Sequence, residues 1–246
     1  MSLPVHFTPS LAGVSAGSTV EVTGDEAHHA VAVRRLQVGE ELVLTDGLGT
    51  SARGTVASTG KRVFTVDVAY VETEEAPTPA ITVVQALPKG DRGELAVAML
   101  TEIGVSEIVP WAASRSVAVW RGERAQKSHA KWVATAREAA KQARRSWFPT
   151  VAPLASTDQV AELLAGAELA VVLHEDATLP LAALELPESG RIVVVVGPEG
   201  GISAEELELL ASPGARPVRL GDEVLRTSTA GLAACAALLA RTSRWD

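Results

Sequence analysis

Two glycine-containing turns and a concentrated set of cations are the parts of this 246-residue chain whose residue types and spacing could do chemistry. The first turn, Gly197-Pro198-Glu199-Gly200-Gly201, follows the β-branched run Val193–Val196 and precedes Ser203-Ala-Glu-Glu206, a Ser-x-x-Glu spacing that reads as a capping box. A β-branched run without polar alternation reads as a parallel strand buried on both faces. A strand that turns through glycines into a helix leaves backbone N–H groups unpaired at the carboxyl edge of a sheet, where open α/β sheets bind ligands. An ordinary tight connection has the same local sequence, so this turn alone leaves both readings open. The second turn runs from Leu220-Gly221 through Leu225-Arg226 to a helix with Thr227 or Ser228 as its cap. Ala230–Ala237 in that helix is almost entirely small residues. Such a stretch suits close approach by another segment, or simply a buried helix.

The cations point toward phosphate. Formal net charge is −8, yet Arg115–Arg145 holds nine Lys/Arg against Glu123 and Glu138 only. An acidic protein with one concentrated basic segment stays soluble while offering polyanions a single landing place. Wound as a helix at about 100° per residue, Arg124, Lys127, Lys131, Lys141 and Arg145 share one face with Glu138. Ala125, Trp132, Ala136, Ala139 and Ala143 fall opposite. Lys89 and Arg92, in Pro88-Lys-Gly-Asp-Arg92, would flank the N-terminus of a helix capped by Asp91, either meeting a phosphate or facing water.

Other chemistries find little support. Cys235 is the only cysteine, which excludes disulfides, fits a reducing cytoplasm, and reads as a buried, inert thiol. His28 and His29 are adjacent, and on a helix their side chains diverge by about 100°, so no shared metal is expected. No Gly-x-Ser-x-Gly elbow, Walker loop or Gly-x-Gly-x-x-Gly fingerprint occurs. No apolar run approaches the ~18 residues of a membrane span, and no signal peptide is expected at Met1–His6.

The elements that must position these residues fall into two styles. Up to about residue 73, short alternating strands at 19–23, 41–45, 50–56 and 63–71, punctuated by glycines, predict a small antiparallel barrel or sandwich. Thr23-Gly-Asp-Glu26 reads as a capping box opening a helix through about Leu36. Glu72–Pro79, acidic and twice interrupted by proline, reads as a linker that continues neither strand nor helix. Beyond it, strands at 81–87, 107–111, 151–154, 169–173, 192–196 and 217–220 alternate with helices at 91–104, 123–146, 158–165, 204–211 and 227–241. That alternation predicts an α/β domain with a mostly parallel sheet covered on both faces.

At this point the motifs resemble a known family. Gly197-Pro-Glu-Gly-Gly201 and Leu220-Gly221-x-x-Val-Leu225-Arg226-Thr-x-Thr-Ala230 are similar to the two cofactor-loop signatures of the SPOUT RNA methyltransferases. Three further matches resemble its RsmE-type branch, the 16S rRNA uridine-N3 methyltransferases. They are His29 with Arg35-Leu-x-x-Gly39, Lys89-Gly-Asp91 with Thr101-Glu-x-Gly-Val105, and Glu138-Ala-x-x-Gln142-x-x-Arg145-x-x-x-Pro149. The resemblance implies a PUA-like β-barrel over 1–73 and a SPOUT α/β domain with a C-terminal trefoil knot over 80–246. It also implies a cytoplasmic homodimer that needs no metal and methylates N3 of a 16S rRNA uridine in the small ribosomal subunit with S-adenosylmethionine. The cofactor pocket would comprise Leu173, Gly197, Glu199, Gly200, Gly201, Ile202, Leu220, Gly221 and Leu225. Glu199 could complement the cofactor's positive charge or be a structural carboxylate. Arg226 would stabilise the uridine anion, and Arg35, Lys89, Arg92, Arg115, Lys141 and Arg145 would contact RNA. The family's last motif usually carries glutamate where this chain has Ser228, and Ala143-Arg144 replaces a small residue and glycine. A related knotted enzyme acting on a ribose 2′-hydroxyl, or a non-catalytic RNA-binding relative, would share much of this pattern.

Overall fold

The computed structural model describes residues 3–245, which divide into two compact units: residues up to 76 with 141–148, and 77–140 with 149 onward. In the first unit, β1 (Val5–Phe7), β2 (Thr19–Thr23), β3 (Glu41–Thr45), β4 (Thr50–Thr59) and β5 (Val63–Thr73) form one sheet in the order β1-β3-β4-β5-β2. Only the β1–β3 pair is parallel. The long β4–β5 ladder shifts register at Arg53/Gly54 and again at Val56/Ser58, and such irregularities bend strands and let a sheet curl. Alternate residues, among them Val22, Leu42, Leu44, Val56, Phe64 and Val66, fill the core so enclosed. Strand β1 is absent from the sequence reading because Val-His-Phe is too short to show alternation. Strand β5 also continues through Glu72 and Thr73, so the expected linker loses its first two residues to the sheet.

The expected capping box at Thr23 does not form. Helix α1 (Gly24–His28) starts there, but the Thr23 side chain makes no cap bond, and the helix passes at once into a turn of π-helix over 29–33. Glu26 is instead drawn elsewhere. Its carboxylate lies 3.0 Å from His6 Nδ1 and accepts hydrogen bonds of 3.1 and 2.8 Å from Lys141 Nζ, all three side chains being largely buried. Burial works to raise this carboxyl, but the hydrogen bonds from His6 and Lys141 outweigh it and hold the group at about 2.

In the second unit, β6 (Ala80–Ala86), α2 (Arg92–Ile103), β7 (Glu107–Trp111), α3 (Gly122–Gln142, its last two residues grouped with the first unit), β8 (Thr150–Val151), α4 (Thr157–Ala165), β9 (Leu169–Leu173), β10 (Arg191–Val196), α5 (Ala204–Ala211), β11 (Arg216–Val218) and α6 (Thr227–Leu239) follow in turn. The six strands are all parallel, in the order β11-β9-β10-β6-β7-β8. Alternate residues feed two separate cores. Ile81, Val83, Ile192, Val194 and Val196 pack with Leu100, Trp132, Ala234 and Leu238 from α2, α3 and α6, while Val84, Ala86, Val193 and Val195 pack with Val160, Leu164 and Leu210 from α4 and α5. Burial on both faces is why the strands lack polar alternation. Cys235 lies in the first of these cores, where burial pushes its thiol up to about 12 and leaves it unreactive.

Helix α3 ends four residues earlier than its periodicity suggests. Arg144 has φ 55°, a left-handed turn that ends helical winding, so Arg145 is not on the helix and Ala143 is exposed rather than part of an apolar back.

Candidate active site

Because the sheet is parallel, the carboxyl ends of β9, β10 and β11 lie along one edge, and three loops rise from it. Leu173 closes β9, Gly197 follows β10, and residues 219–226 lead from β11 to α6. Together they enclose a cavity of about 590 Å³. Leu173, Gly197, Glu199, Gly200, Gly201, Ile202, Leu220, Gly221 and Leu225 all lie in its wall, as do Arg226, Arg92 and Arg115.

The 197–203 turn is held by specific contacts. Gly201 adopts φ 72° and donates its N–H to the Pro198 carbonyl at 2.9 Å. A Cβ on Gly200 would lie 3.1 Å from Arg115 Cβ and 3.2 Å from the Arg115 carbonyl, so a side chain there would force this close approach to open by a few tenths of an ångström. The Ser203–Glu206 capping box forms in both halves, at 3.2 Å each. Glu206 then reaches further than a cap requires. Its buried carboxylate accepts from Ser114 N (2.7 Å), Ser114 Oγ (2.8 Å) and Thr157 Oγ1 (3.3 Å). Those bonds fix the segment that carries Arg115, whose guanidinium donates to the Gly200 carbonyl at 3.3 Å. Glu199 accepts from the Lys89 backbone N–H at 3.1 Å and pairs with Arg92 at 3.5 Å. This carboxylate therefore ties the segment after β6 to the glycine turn, a structural use compatible with its place in the cavity wall.

The cavity wall mixes charge. Arg92, Arg115, Arg219 and Arg226 face Glu175, Asp176, Glu199, Asp222 and Glu223, with Arg219 and Asp222 paired at 3.2 Å. Apolar patches come from Leu173, Ile202, Leu220 and Leu225. The volume sits in the range of small-molecule sites, and backbone groups, carboxylates and short apolar walls together fit a cationic, nucleoside-sized cofactor. Among the described residues, no group of three or more His, Cys, Asp or Glu side chains is arranged to hold a metal ion, and no helix is long and apolar enough to cross a membrane.

The candidate phosphate contacts scatter. Lys89, Arg115 and Arg35 are exposed, Arg35 with φ 58°, while Arg92 and Arg145 are half-buried. Lys141 is 6% exposed and bonded to Glu26, so it is an interior counter-ion and not part of a surface stripe. Lys131 remains on the surface and pairs with Glu94 at 2.8 Å.

Sequence reasoning passed over several residues of the site. His174, Glu175 and Asp176 follow the end of β9 and line the cavity; the signal that could have found them is that they come directly after Leu173, at the end of a strand beside β10 and β11. The cap of α6 is also different from expectation. Arg226 is the N-cap residue and makes no side-chain cap bond, while Thr227, already helical, donates to the Gly197 carbonyl at 2.6 Å.

Comparison with known proteins settles the family. Residues 74–239 match the RNA methyltransferase domain, and residues 22–68 match the RNA methyltransferase PUA domain. The chain belongs to the RNA methyltransferase family. Within that family it is 43% identical over 234 residues to the ribosomal RNA small subunit methyltransferase E of Mycobacterium tuberculosis, covering 94% of this chain and 89% of the relative. It is 30% identical over 232 residues to the protein of that name from Bacillus subtilis, covering 91% of each. A crystal structure of a ribosomal RNA small subunit methyltransferase E from Neisseria gonorrhoeae bound to S-adenosyl methionine superposes with TM-score 0.89 at 28% identity, covering 98% of each chain. A putative methyltransferase from Legionella pneumophila with bound SAM gives TM-score 0.87 at 27% identity, covering 98% of this chain and 99% of the other. The chain is thus an RNA methyltransferase of the RsmE type, a methyltransferase domain preceded by a PUA-like domain.

Proposed function

We propose that this enzyme methylates N3 of a specific uridine in 16S rRNA, using S-adenosylmethionine bound in the cleft of residues 173, 197–202 and 220–225. The observation that carries the reading is the convergence of both glycine loops on one cavity at the carboxyl edge of the sheet. It is supported by the relatives named for small-subunit rRNA methylation and by the related structures that hold the cofactor.

When bound, the cofactor supplies an electrophilic methyl group on a sulfonium, which needs alignment with the nucleophile more than covalent help. The loops supply that alignment: Gly200 lets the turn lie against Arg115, Gly201 takes the positive φ that the turn needs, and Arg115 and Glu199 brace it. Uridine N3 attacks only after its proton passes to a base or to solvent water, so negative charge develops on the ring and its two carbonyl oxygens. Arg226, in the cavity wall and at the N-terminus of α6, is assigned to that charge. The position usually glutamate in the family is Ser228 here, buried in the first turn of α6, so this chain supplies no carboxylate at that place and the proposed role falls to Arg226.

Arg35 and Arg145 of the first unit and Lys89, Arg92 and Arg115 of the second are assigned to RNA phosphates, where cations position the substrate. Lys141 leaves that set because it is buried. In this reading the protein works in the cytoplasm as a homodimer. Its domains along the sequence run from 1 to 73 and from 80 to 246, with residues 141–148 returning to the first compact unit, and the second domain carries a C-terminal trefoil knot. Transfer of labelled methyl groups to purified small ribosomal subunits, followed by digestion and nucleoside mapping, tests the proposal. Label in 3-methyluridine is expected; label in a 2′-O-methylated nucleoside, or none, overturns it.

A further inference from the structure

Gln85 is the feature of the second unit that the functional reading leaves unexplained. It is the penultimate residue of the otherwise largely apolar strand β6, is 1% exposed, and sits opposite Val196 in the β6–β10 register. An amide costs more to bury than the valines around it, so its hydrogen bonds are the clue to its use. Its Nε2 donates to the Ala86 carbonyl at 3.1 Å and to Thr227 Oγ1 at 3.1 Å. The orientation of the amide is fixed by chemistry: a carbonyl can only accept, so the NH₂ end must face Ala86 and with it Thr227. Having accepted from Gln85, the Thr227 hydroxyl directs its single proton to the Gly197 carbonyl at 2.6 Å.

The result is a directed relay across three distant segments, Gln85 to Thr227 to Gly197. Its far end is a peptide with few other handles. Pro198 follows Gly197, so the Gly197–Pro198 peptide has no N–H, and its carbonyl is the only polar group by which it can be held. Gly197 and Thr227 both line the cavity, Gly197 on the first glycine-containing loop and Thr227 where the second loop enters α6.

We propose that Gln85 is a positioning residue that, through Thr227, locks the Gly197–Pro198 peptide to the start of α6 and so sets the two cofactor loops in their binding arrangement before the cofactor arrives. The inference rests on the reading of the cleft as the S-adenosylmethionine site. The relay should contribute preorganisation, which lowers the cost of binding without touching the ligand.

Calorimetric titration of S-adenosylmethionine into the full-length protein and its variants tests it, alongside hydrogen exchange of the 199–203 amides in cofactor-free protein. Gln85→Leu and Thr227→Val should each weaken cofactor binding about five- to tenfold. The double variant should be no weaker than the worse single, because each change breaks the same chain. Both should speed exchange of the 199–203 amides, and Thr227→Ser, which keeps the hydroxyl, should restore affinity and protection. Unchanged affinity in Gln85→Leu, penalties that multiply in the double variant, or Thr227→Ser as weak as Thr227→Val would each overturn the proposal. Should Gln85→Leu not fold, the comparison of Thr227→Ser with Thr227→Val decides alone. If the unmodified protein bound no S-adenosylmethionine, the reading of the cleft would fail, and hydrogen exchange would still judge the relay.

Discussion

At the scale of single residues, the site separates groups that face the cavity from groups that hold them there. Arg226 belongs to the first kind. Donors that stabilise charge only in the transition state are worth about 10²–10³ in rate, so Arg226→Ala should lower kcat by roughly 100-fold at saturating RNA. Methyl-transfer kinetics check this, and full turnover would remove Arg226 from the chemistry. Glu26 belongs to the second kind, and its consequence is pH-dependent stability. Its folded pKa, about 2, lies below the ordinary 4.5, so the unfolded chain takes up the proton more readily. The stabilisation is therefore complete above about pH 4.5 and drains away as pH falls toward 2. Its size is at most ~3 kcal/mol and is reduced by solvent screening. Thermal melts across that window should show the unmodified protein losing more stability than Glu26→Gln; parallel curves would contradict the buried pair. This site was not legible in the sequence. Thr-x-x-Glu matched a capping box, but the partners that captured Glu26 lie 20 and 115 residues away.

At the scale of elements, much was legible because burial on both faces leaves a plain mark. The parallel strands at 169–173 and 107–111 and the helix at 204–211 stand where uniform apolar runs, glycines and the Ser203 cap place them. Local signals failed where a tertiary contact outbid them. Asp91 and Thr227 have the residue types of helix caps, yet neither side chain caps. Instead, Thr227 turns its hydroxyl to Gly197, a partner with no trace in the sequence. The small residues of α6 do have the packing role their sizes suggest. A Cβ on Gly231 would meet Leu100 Cδ2 at 3.1 Å and Val196 Cγ2 at 3.3 Å, where α6 crosses α2 and β10. Gly231→Val overpacks this contact and should cost about 1–3 kcal/mol, read by denaturant unfolding. A stability within 0.5 kcal/mol of the unmodified protein, roughly the scatter of a surface substitution, would show the contact is slack.

At the scale of the whole molecule, charge governs the encounter with RNA. A net −8 chain must bind a polyanion through local cations, and the basic segment provides them less uniformly than its helical wheel implies. The wheel places Lys141 with the phosphate-facing residues because periodicity reports direction around an axis. It cannot report that Lys141 is drawn into a buried pair with Glu26. For a surface phosphate contact, loss of one cation should reduce the slope of log affinity against log salt by about 1. Arg115→Ala should show that reduction in binding titrations, and an unchanged slope would remove Arg115 from the RNA contact.

The central claim is that the cavity walled by the two glycine loops is where S-adenosylmethionine binds, and one titration addresses it most directly. Gly200→Val puts a branched side chain on the turn where a Cβ already presses on Arg115. Calorimetry of cofactor binding to the folded variant should show affinity falling at least about tenfold relative to the unmodified protein. Equal affinity in the two proteins would place the cofactor elsewhere and contradict the account.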